Sequence, residues 1–86
     1  MDYEVLLMPA AARDLRKLPP EIRPRLEQAL ISLKEPHQTG AKKLQGSDDR
    51  WRIRVGDYRV IYRIADSDKQ VVVSRIAHRR EAYRLS

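Results

Sequence analysis

The sequence predicts an α+β fold: an N-terminal strand and a helical hairpin packed on an antiparallel sheet of about four strands, followed by a short C-terminal helix or tail. Three patterns indicate it. Apolar and charged residues alternate over residues 50–63, apolar stripes of helical period cover residues 11–33, and residues 70–77 contain a run of valines. The chain has 86 residues, so we expect residues 1–86 to form one domain.

The Gly56-Asp57 pair is predicted to be the turn of a β-hairpin, because glycine readily takes the positive φ that tight turns need. With a short even-numbered loop, residues whose numbers sum to 113 face each other, and Arg54 lies opposite Arg59. One face of the hairpin is apolar and carries Trp51, Ile53, Val55, Tyr58, Val60, Tyr62 and Ile64. The other is basic and carries Arg50, Arg52, Arg54, Arg59 and Arg63, together with Ile61.

The N-terminal third predicts the strand and two helices that cover the apolar face. Residues 2–8 predict a strand, and Pro9 is suited to open a helix over residues 10–18. Pro19-Pro20 ends that helix. Because Pro24 is tolerated only in a first turn, the second helix is expected to begin near Ile22. Its apolar stripe consists of Ile22, Leu26, Ala29, Leu30 and Leu33.

The remaining segments predict loops, one more strand and a polar end. Residues 35–40, with His37, predict a loop, and residues 46–49 and 66–68 predict turns. Gln70 to Ala77 predicts a strand buried on both faces or central in the sheet. Residues 77–86 predict a short helix or an ordered tail.

Composition excludes several classes of function. The chain has no cysteine and only two histidines, far apart in sequence, so we expect no disulfide, metal site or cofactor. No stretch approaches the roughly 20 apolar residues of a membrane span, and we expect a soluble, cytoplasmic protein.

The net charge of +6 is unevenly distributed along the chain. Residues 1–41 contain 6 basic and 6 acidic side chains, whereas residues 42–86 contain 12 basic and 6 acidic ones. This asymmetry favours a phosphate-rich partner for the C-terminal half, with a membrane surface as the weaker alternative. A solvated surface whose arginines pair with carboxylates elsewhere is the alternative without a function.

The basic face and the C-terminal segment together contain the parts of a metal-free RNA-cleaving site. Guanidinium groups bind phosphate oxygens in a fork, histidine moves protons near neutral pH, and tyrosine stacks on an unpaired base. The candidates for the chemistry are Arg52, Arg54, Arg59, His78, Arg79 and Tyr83, and those for RNA binding are Lys42, Lys43, Arg50, Arg63 and Arg80. Each also has an ordinary structural role open to it, such as core packing for Tyr83.

Several strings resemble the RelE branch of the RelE/ParE toxin superfamily: Lys43-Leu44-Gln45-Gly46, Trp51-Arg52-Ile53-Arg54, Gly56-Asp57-Tyr58-Arg59-Val60-Ile61-Tyr62 and His78-Arg79-Arg80-Glu81-Ala82-Tyr83. The resemblance covers nearly the whole chain. It implies a RelE-like fold and a ribosome-dependent endoribonuclease that cuts mRNA in the A site. It also implies inhibition by a cognate RelB-like antitoxin, with DNA contacted only indirectly through that antitoxin.

By position, the resemblance implies roles for five of the candidates for the chemistry. Arg52 and Arg54 match basic residues, usually lysine, that bind phosphate and help activate the 2′-hydroxyl. Arg59 matches the arginine that stabilises the transition state, Arg79 the residue that assists the leaving group, and Tyr83 the tyrosine that stacks on the base.

Two positions depart from the family pattern. Arginine at position 54 is a poor proton acceptor, because a guanidinium group stays protonated in proteins, so charge stabilisation is the expected role. His78 stands where some relatives have lysine, and proton transfer by His78 is a hypothesis.

Two other functions remain open. One is a ParE-like toxin that shares the fold, inhibits DNA gyrase and cleaves no RNA. The other is a catalytically silent RNA-binding or ribosome-binding module, which would lose nothing on removal of Arg79 or Tyr83.

Overall fold

The computed structural model describes residues 2–36, 42–43 and 50–80. Its elements are β1 (Glu4–Leu7), α1 (Pro9–Arg16), α2 (Arg23–Ser32), β2 (Lys42–Lys43), β3 (Arg50–Val55), β4 (Tyr58–Ala65) and β5 (Gln70–His78). The strands form one sheet in the order β1-β5-β4-β3-β2. The predicted α+β class is confirmed. The predictions for His37, for the turn at residues 46–49 and for residues 81–86 of the tail predicted over 77–86, including Tyr83, fall outside the described residues.

The sheet is mixed: β2, β3, β4 and β5 form the predicted antiparallel sheet, and β1 joins it by a parallel pairing that was not predicted. β1 pairs with β5 in parallel, whereas β2, β3, β4 and β5 pair antiparallel. A parallel pair needs a long crossover connection. Here α1 and α2 follow β1 directly and pack on one face of the sheet. The residue pattern of β1 reports which face is buried but not the direction of its neighbour.

The hairpin has the predicted register. Arg50 pairs with Arg63, Arg54 with Arg59, and Val55 with Tyr58, which leaves a loop of Gly56 and Asp57. Gly56 has φ +59°, and Asp57 is not among the residues of positive φ. A positive φ at the first loop position only is typical of a type II′ turn, whose twist suits the two strands.

Replacing Gly56 should destabilise the hairpin. A Cβ there would lie 3.2 Å from Ile22 Cδ1 and 3.4 Å from Arg25 Nη1, on a backbone that alanine adopts at a cost of about 1–2 kcal/mol. We expect Gly56→Ala to lower the free energy of unfolding in urea by that amount. Gly56→Asn adds the same Cβ but tolerates the conformation better, so it should lose less. Equal stability of Gly56→Ala and wild type would contradict this.

The helical hairpin covers the apolar face of the sheet, as predicted. Pro9 is the first residue of α1, and Pro24 is the second residue of α2. Ala11, Leu18, Leu26 and Leu33 are buried in one cluster with Val55, Val60, Tyr62, Val71, Val73 and Ile76. Within the described residues no helix could cross a membrane, since α1 and α2 contain 8 and 10 residues.

Arg23 joins the two helices. Its Nη2 donates to the carbonyl oxygens of Leu15 and Arg16, each at 3.2 Å. The last carbonyls of a helix have no partner within the helix, and a basic side chain can supply one. The first residue of α2 therefore caps the end of α1 and fixes the hairpin that lies on the sheet.

A β-bulge interrupts β5, and beyond it a side chain accepts a backbone hydrogen bond at the outer edge of the strand. Tyr62 pairs with Val73 and Ile61 with Arg75, so Ser74 is the extra residue, and its hydroxyl donates to the Ile61 carbonyl at 3.1 Å. β1 ends before this point. The Asp14 carboxylate of α1 accepts the Ile76 amide at 2.9 Å in place of a neighbouring strand.

Asp14 should therefore contribute measurably to stability. It also accepts the Arg75 Nε at 2.8 Å, so Asp14→Ala leaves both an edge amide and a guanidinium without their acceptor. We expect a loss of about 1–3 kcal/mol in urea denaturation. Asp14→Asn retains an acceptor for the amide and should lose less. If both variants lost the same free energy of unfolding, the stabilisation would come from the carboxylate charge and not from the hydrogen bond to the Ile76 amide.

Candidate nucleic-acid interface

The arginine face is the side of the sheet that points away from α1 and α2. It is defined by Arg50, Arg52, Arg54, Arg59 and Arg63. Arg54 lies directly opposite Arg59, Arg50 opposite Arg63, and Arg52 opposite Ile61. Because side chains alternate along a strand and Val55, Val60 and Tyr62 belong to the core, these arginines share the opposite face.

The opposed arginines create a concentrated positive charge. Like charges directly across a strand pair destabilise a sheet. Within the described part of the chain, Arg52 and Arg54 form no ion pair with a carboxylate. A bound phosphate would relieve this repulsion, so the arginine face is suited to a polyanion.

Arg59 is far less exposed than its position on the face away from the helices would suggest. It is 7% exposed, while Arg54 is exposed. The apolar neighbours Ile61 and Ala77 on the same face are 2% and 1% exposed. In the sheet, Arg59 lies between Arg54 on β3 and Ala77 on β5. A shielded guanidinium acts on a phosphate with little screening by water.

Arg75 is a basic residue that the sequence analysis did not assign to this face. Through Ile61 it lies in one row with Arg52. Its guanidinium forms two hydrogen bonds to Asp14, at 2.8 and 3.3 Å, so its charge is neutralised from α1. Alternation from the buried Val71 and Val73 would place Arg75 on the core face, and the bulge at Ser74 moves it to the arginine face.

Arg25 is a basic residue of α2 that lies near the hairpin turn. Its Nη1 lies close to the hairpin turn, 3.4 Å from the point where a Cβ of residue 56 would stand. Arg25 was not among the predicted site residues. No feature of the sequence alone brings α2 to the turn.

His78 lies on the opposite side of the sheet from the arginine face. It pairs with Tyr58, and Tyr58 packs against the core. Their rings form an edge-to-face contact, with centroids 5.4 Å apart and planes at 84°. The predicted site combines His78 with the arginines, but the register places His78 on the other face of the sheet.

Arg79 is held at the turn end of the arginine face. Its amide donates to the Asp57 carbonyl at 2.7 Å, beside the Arg54 and Arg59 pair. Arg79 and Arg80 are both exposed. Lys42 and Lys43 pair through their backbone with Arg52 and Trp51 at the edge of the sheet. Tyr83 lies outside the described residues.

Among the residues that the structure describes, no group of three or more histidine, cysteine, aspartate or glutamate side chains could hold a metal ion. The charge at the arginine face is supplied by guanidinium groups. These can bind and orient phosphate oxygens and stabilise negative charge that develops on them.

Comparison with known proteins relates the chain to toxins of toxin-antitoxin systems over nearly its whole length. The family model described as the ParE toxin of the type II toxin-antitoxin system, parDE, matches residues 5–83. Toxin RelG of Mycobacterium tuberculosis is 38% identical over 86 residues, which cover 98% of this chain and 99% of RelG. Toxin RelE of the same organism is 34% identical over 86 residues, covering 98% of this chain and 89% of that toxin.

Solved structures show the same relationship. The crystal structure of the toxin-antitoxin complex RelBE2 from Mycobacterium tuberculosis contains a chain that matches with a TM-score of 0.81 and 32% sequence identity. The match covers 91% of this chain and 99% of the other.

Proposed function

Because the chain belongs to the family of ParE and RelE toxins of type II toxin-antitoxin systems, we propose that it is a ribosome-dependent endoribonuclease that cleaves mRNA in the A site. It is a RelE-type toxin by its relatives. The observation that carries the proposal is the opposed pair of Arg54 and Arg59, one exposed and one buried, on a sheet face rich in arginine.

The proposed reaction is an attack of the 2′-hydroxyl oxygen on the adjacent phosphorus. The O2′–P bond forms and the P–O5′ bond breaks; the 2′-hydroxyl loses its proton, and the departing 5′-oxygen gains one. Negative charge grows on the two non-bridging oxygens in between. Arginines stabilise that charge through forked hydrogen bonds, and the mechanism needs no metal or other cofactor.

Each residue has a proposed role. Arg52 and Arg54 bind the scissile phosphate, and Arg59 stabilises the transition state from its shielded position on β4. Arg79 assists the 5′-oxygen as it leaves, from the turn end of the same face. Tyr83 stacks on the substrate base. Flanking phosphates are bound by Lys42, Lys43, Arg50, Arg63 and Arg80.

The proposed partners follow from the same family. The toxin of the RelBE2 complex was solved together with its antitoxin. We infer a cognate RelB-like antitoxin for this chain, with acidic side chains meeting the arginine face. DNA would be contacted only through that antitoxin. Ribosome and mRNA are the targets, and the cytoplasm is the proposed location.

A second candidate function is inhibition of DNA gyrase. It is favoured by one observation, the match of residues 5–83 to the family described as ParE toxins. This function requires no RNA cleavage and gives the arginine face no catalytic role.

Pulse labelling after induction separates the two functions. We expect incorporation of labelled methionine to fall within minutes, before that of labelled thymidine, because cleavage of mRNA on the ribosome stops translation directly. Arg79→Ala, produced at the same level, should leave methionine incorporation near that of uninduced cells. A fall in thymidine incorporation first would favour the gyrase function.

A further inference from the structure

We propose that His78 is a positioning residue for Arg79, acting with Tyr58 to fix the start of the C-terminal segment, and does not itself transfer a proton to RNA. The inference rests on the proposed function of the arginine face. It is carried by three contacts at the last residue pair between β4 and β5, each from a different group.

The first contact fixes the imidazole ring. The His78 ring meets the Tyr58 ring edge to face, with centroids 5.4 Å apart. Both side chains are half-buried, on the side of the sheet that α1 and α2 cover. Aromatic pairs in this geometry are favourable beyond their buried area. The position of the imidazole is thereby set by β4.

The other two contacts fix the backbone that follows. His78 Nδ1 accepts the Arg80 amide at 3.4 Å, and the Arg79 amide donates to the Asp57 carbonyl at 2.7 Å. Arg79 and Arg80 have helical conformation, and amides at the start of a helical turn have no carbonyl partner within it. The imidazole acts here as a cap, as Asn and Asp side chains do at many helix starts.

This geometry also separates His78 from the reacting groups. Because His78 pairs with Tyr58, it shares the face of Val55 and Val60, whereas Arg54 and Arg59 lie on the other face. In the neutral ring, Nδ1 is already engaged by the hydrogen bond that it accepts from the Arg80 amide. His78 therefore contributes to cleavage through the placement of Arg79.

A matched set of substitutions tests this. In His78→Asn the side-chain oxygen stands near the place of Nδ1, so the cap is retained. In His78→Gln the amide stands nearer the place of Nε2, so the cap is lost, and His78→Ala removes the acceptor altogether. Thermal denaturation of the full chain shows which variants are folded, and His78→Gln replaces His78→Ala if the latter does not fold.

The first readout does not depend on activity. Amide hydrogen exchange of Arg79 and Arg80, followed by NMR, should accelerate about tenfold in His78→Ala and stay near wild type in His78→Asn. Unchanged exchange at both amides in His78→Ala would overturn the proposal.

The second readout is cleavage on programmed ribosomes. We expect kcat of His78→Ala to fall by about 10- to 100-fold at unchanged KM, and His78→Asn to recover most of that loss. In an Arg79→Ala background, His78→Ala should have little further effect. Proton transfer by His78 would be indicated instead by equal losses of kcat in His78→Asn and His78→Ala. A full additional loss of kcat from His78→Ala in the Arg79→Ala background would indicate the same. If the wild-type chain cut no message, the proposed function would fail, and the exchange rates would decide the positioning role by themselves.

Discussion

Arg59→Ala is expected to slow cleavage of a ribosome-bound message by about 10²- to 10³-fold, the usual loss when one preorganised donor to a developing oxyanion is removed. Arg59 is 7% exposed and lies on the central strand, beside Arg54. Its guanidinium is therefore held in place before substrate binds and is little screened by water. We expect kcat to fall with little change in KM.

Two further variants show whether the lost rate comes from the forked donors of Arg59 or only from the lost positive charge. Arg59→Lys keeps the positive charge but lacks the forked donors, so it should recover only part of the rate. Arg13→Ala removes the same charge from an exposed position on α1 and should cleave like wild type. If Arg59→Ala melted like wild type and cleaved at the wild-type rate, Arg59 would have no part in the reaction.

Leu26→Ala is expected to cause the largest loss of stability, about 2–5 kcal/mol. Leu26 on α2 is fully buried in the cluster between the helices and the sheet. A small domain has little stability in reserve, since native proteins are commonly stable by only about 5–15 kcal/mol. The melting temperature should fall by on the order of 10–30 °C.

Ile31→Ala is the matched control, because it removes a side chain of the same size from the same helix. Ile31 is 53% exposed, so its removal leaves no cavity and should cost less than about 1 kcal/mol. Urea denaturation of both variants measures the difference. Similar losses at the two positions would mean that α2 does not pack on the sheet through Leu26.

The hairpin and the helical pair could be predicted because their signals are local. Alternation around Gly56 determined both the faces and the register of β3 and β4, including the opposed Arg54 and Arg59. The prolines at positions 9 and 24 marked the helix starts. These features depend on neighbours a few residues apart in sequence.

The parallel pairing of β1 and the roles of the charged side chains could not be predicted in this way. The burial of Arg59, which is 7% exposed, arises in the folded sheet, where Arg54 and Ala77 lie on either side of it. The neutralisation of Arg75 depends on Asp14, 61 residues away. The face of His78 depends on its pairing with Tyr58 and on a bulge that alternation does not reveal.

Primer extension on ribosomes programmed with a defined message is the first measurement to make. It maps cut sites and so shows whether the chain cleaves mRNA in the A site. The controls are the same message as naked RNA and the chain with Arg79→Ala. We expect cuts inside the A-site codon, only on the ribosome, and their loss in Arg79→Ala. Absence of cuts on the ribosome, together with inhibition of gyrase supercoiling by the same preparation, would contradict it.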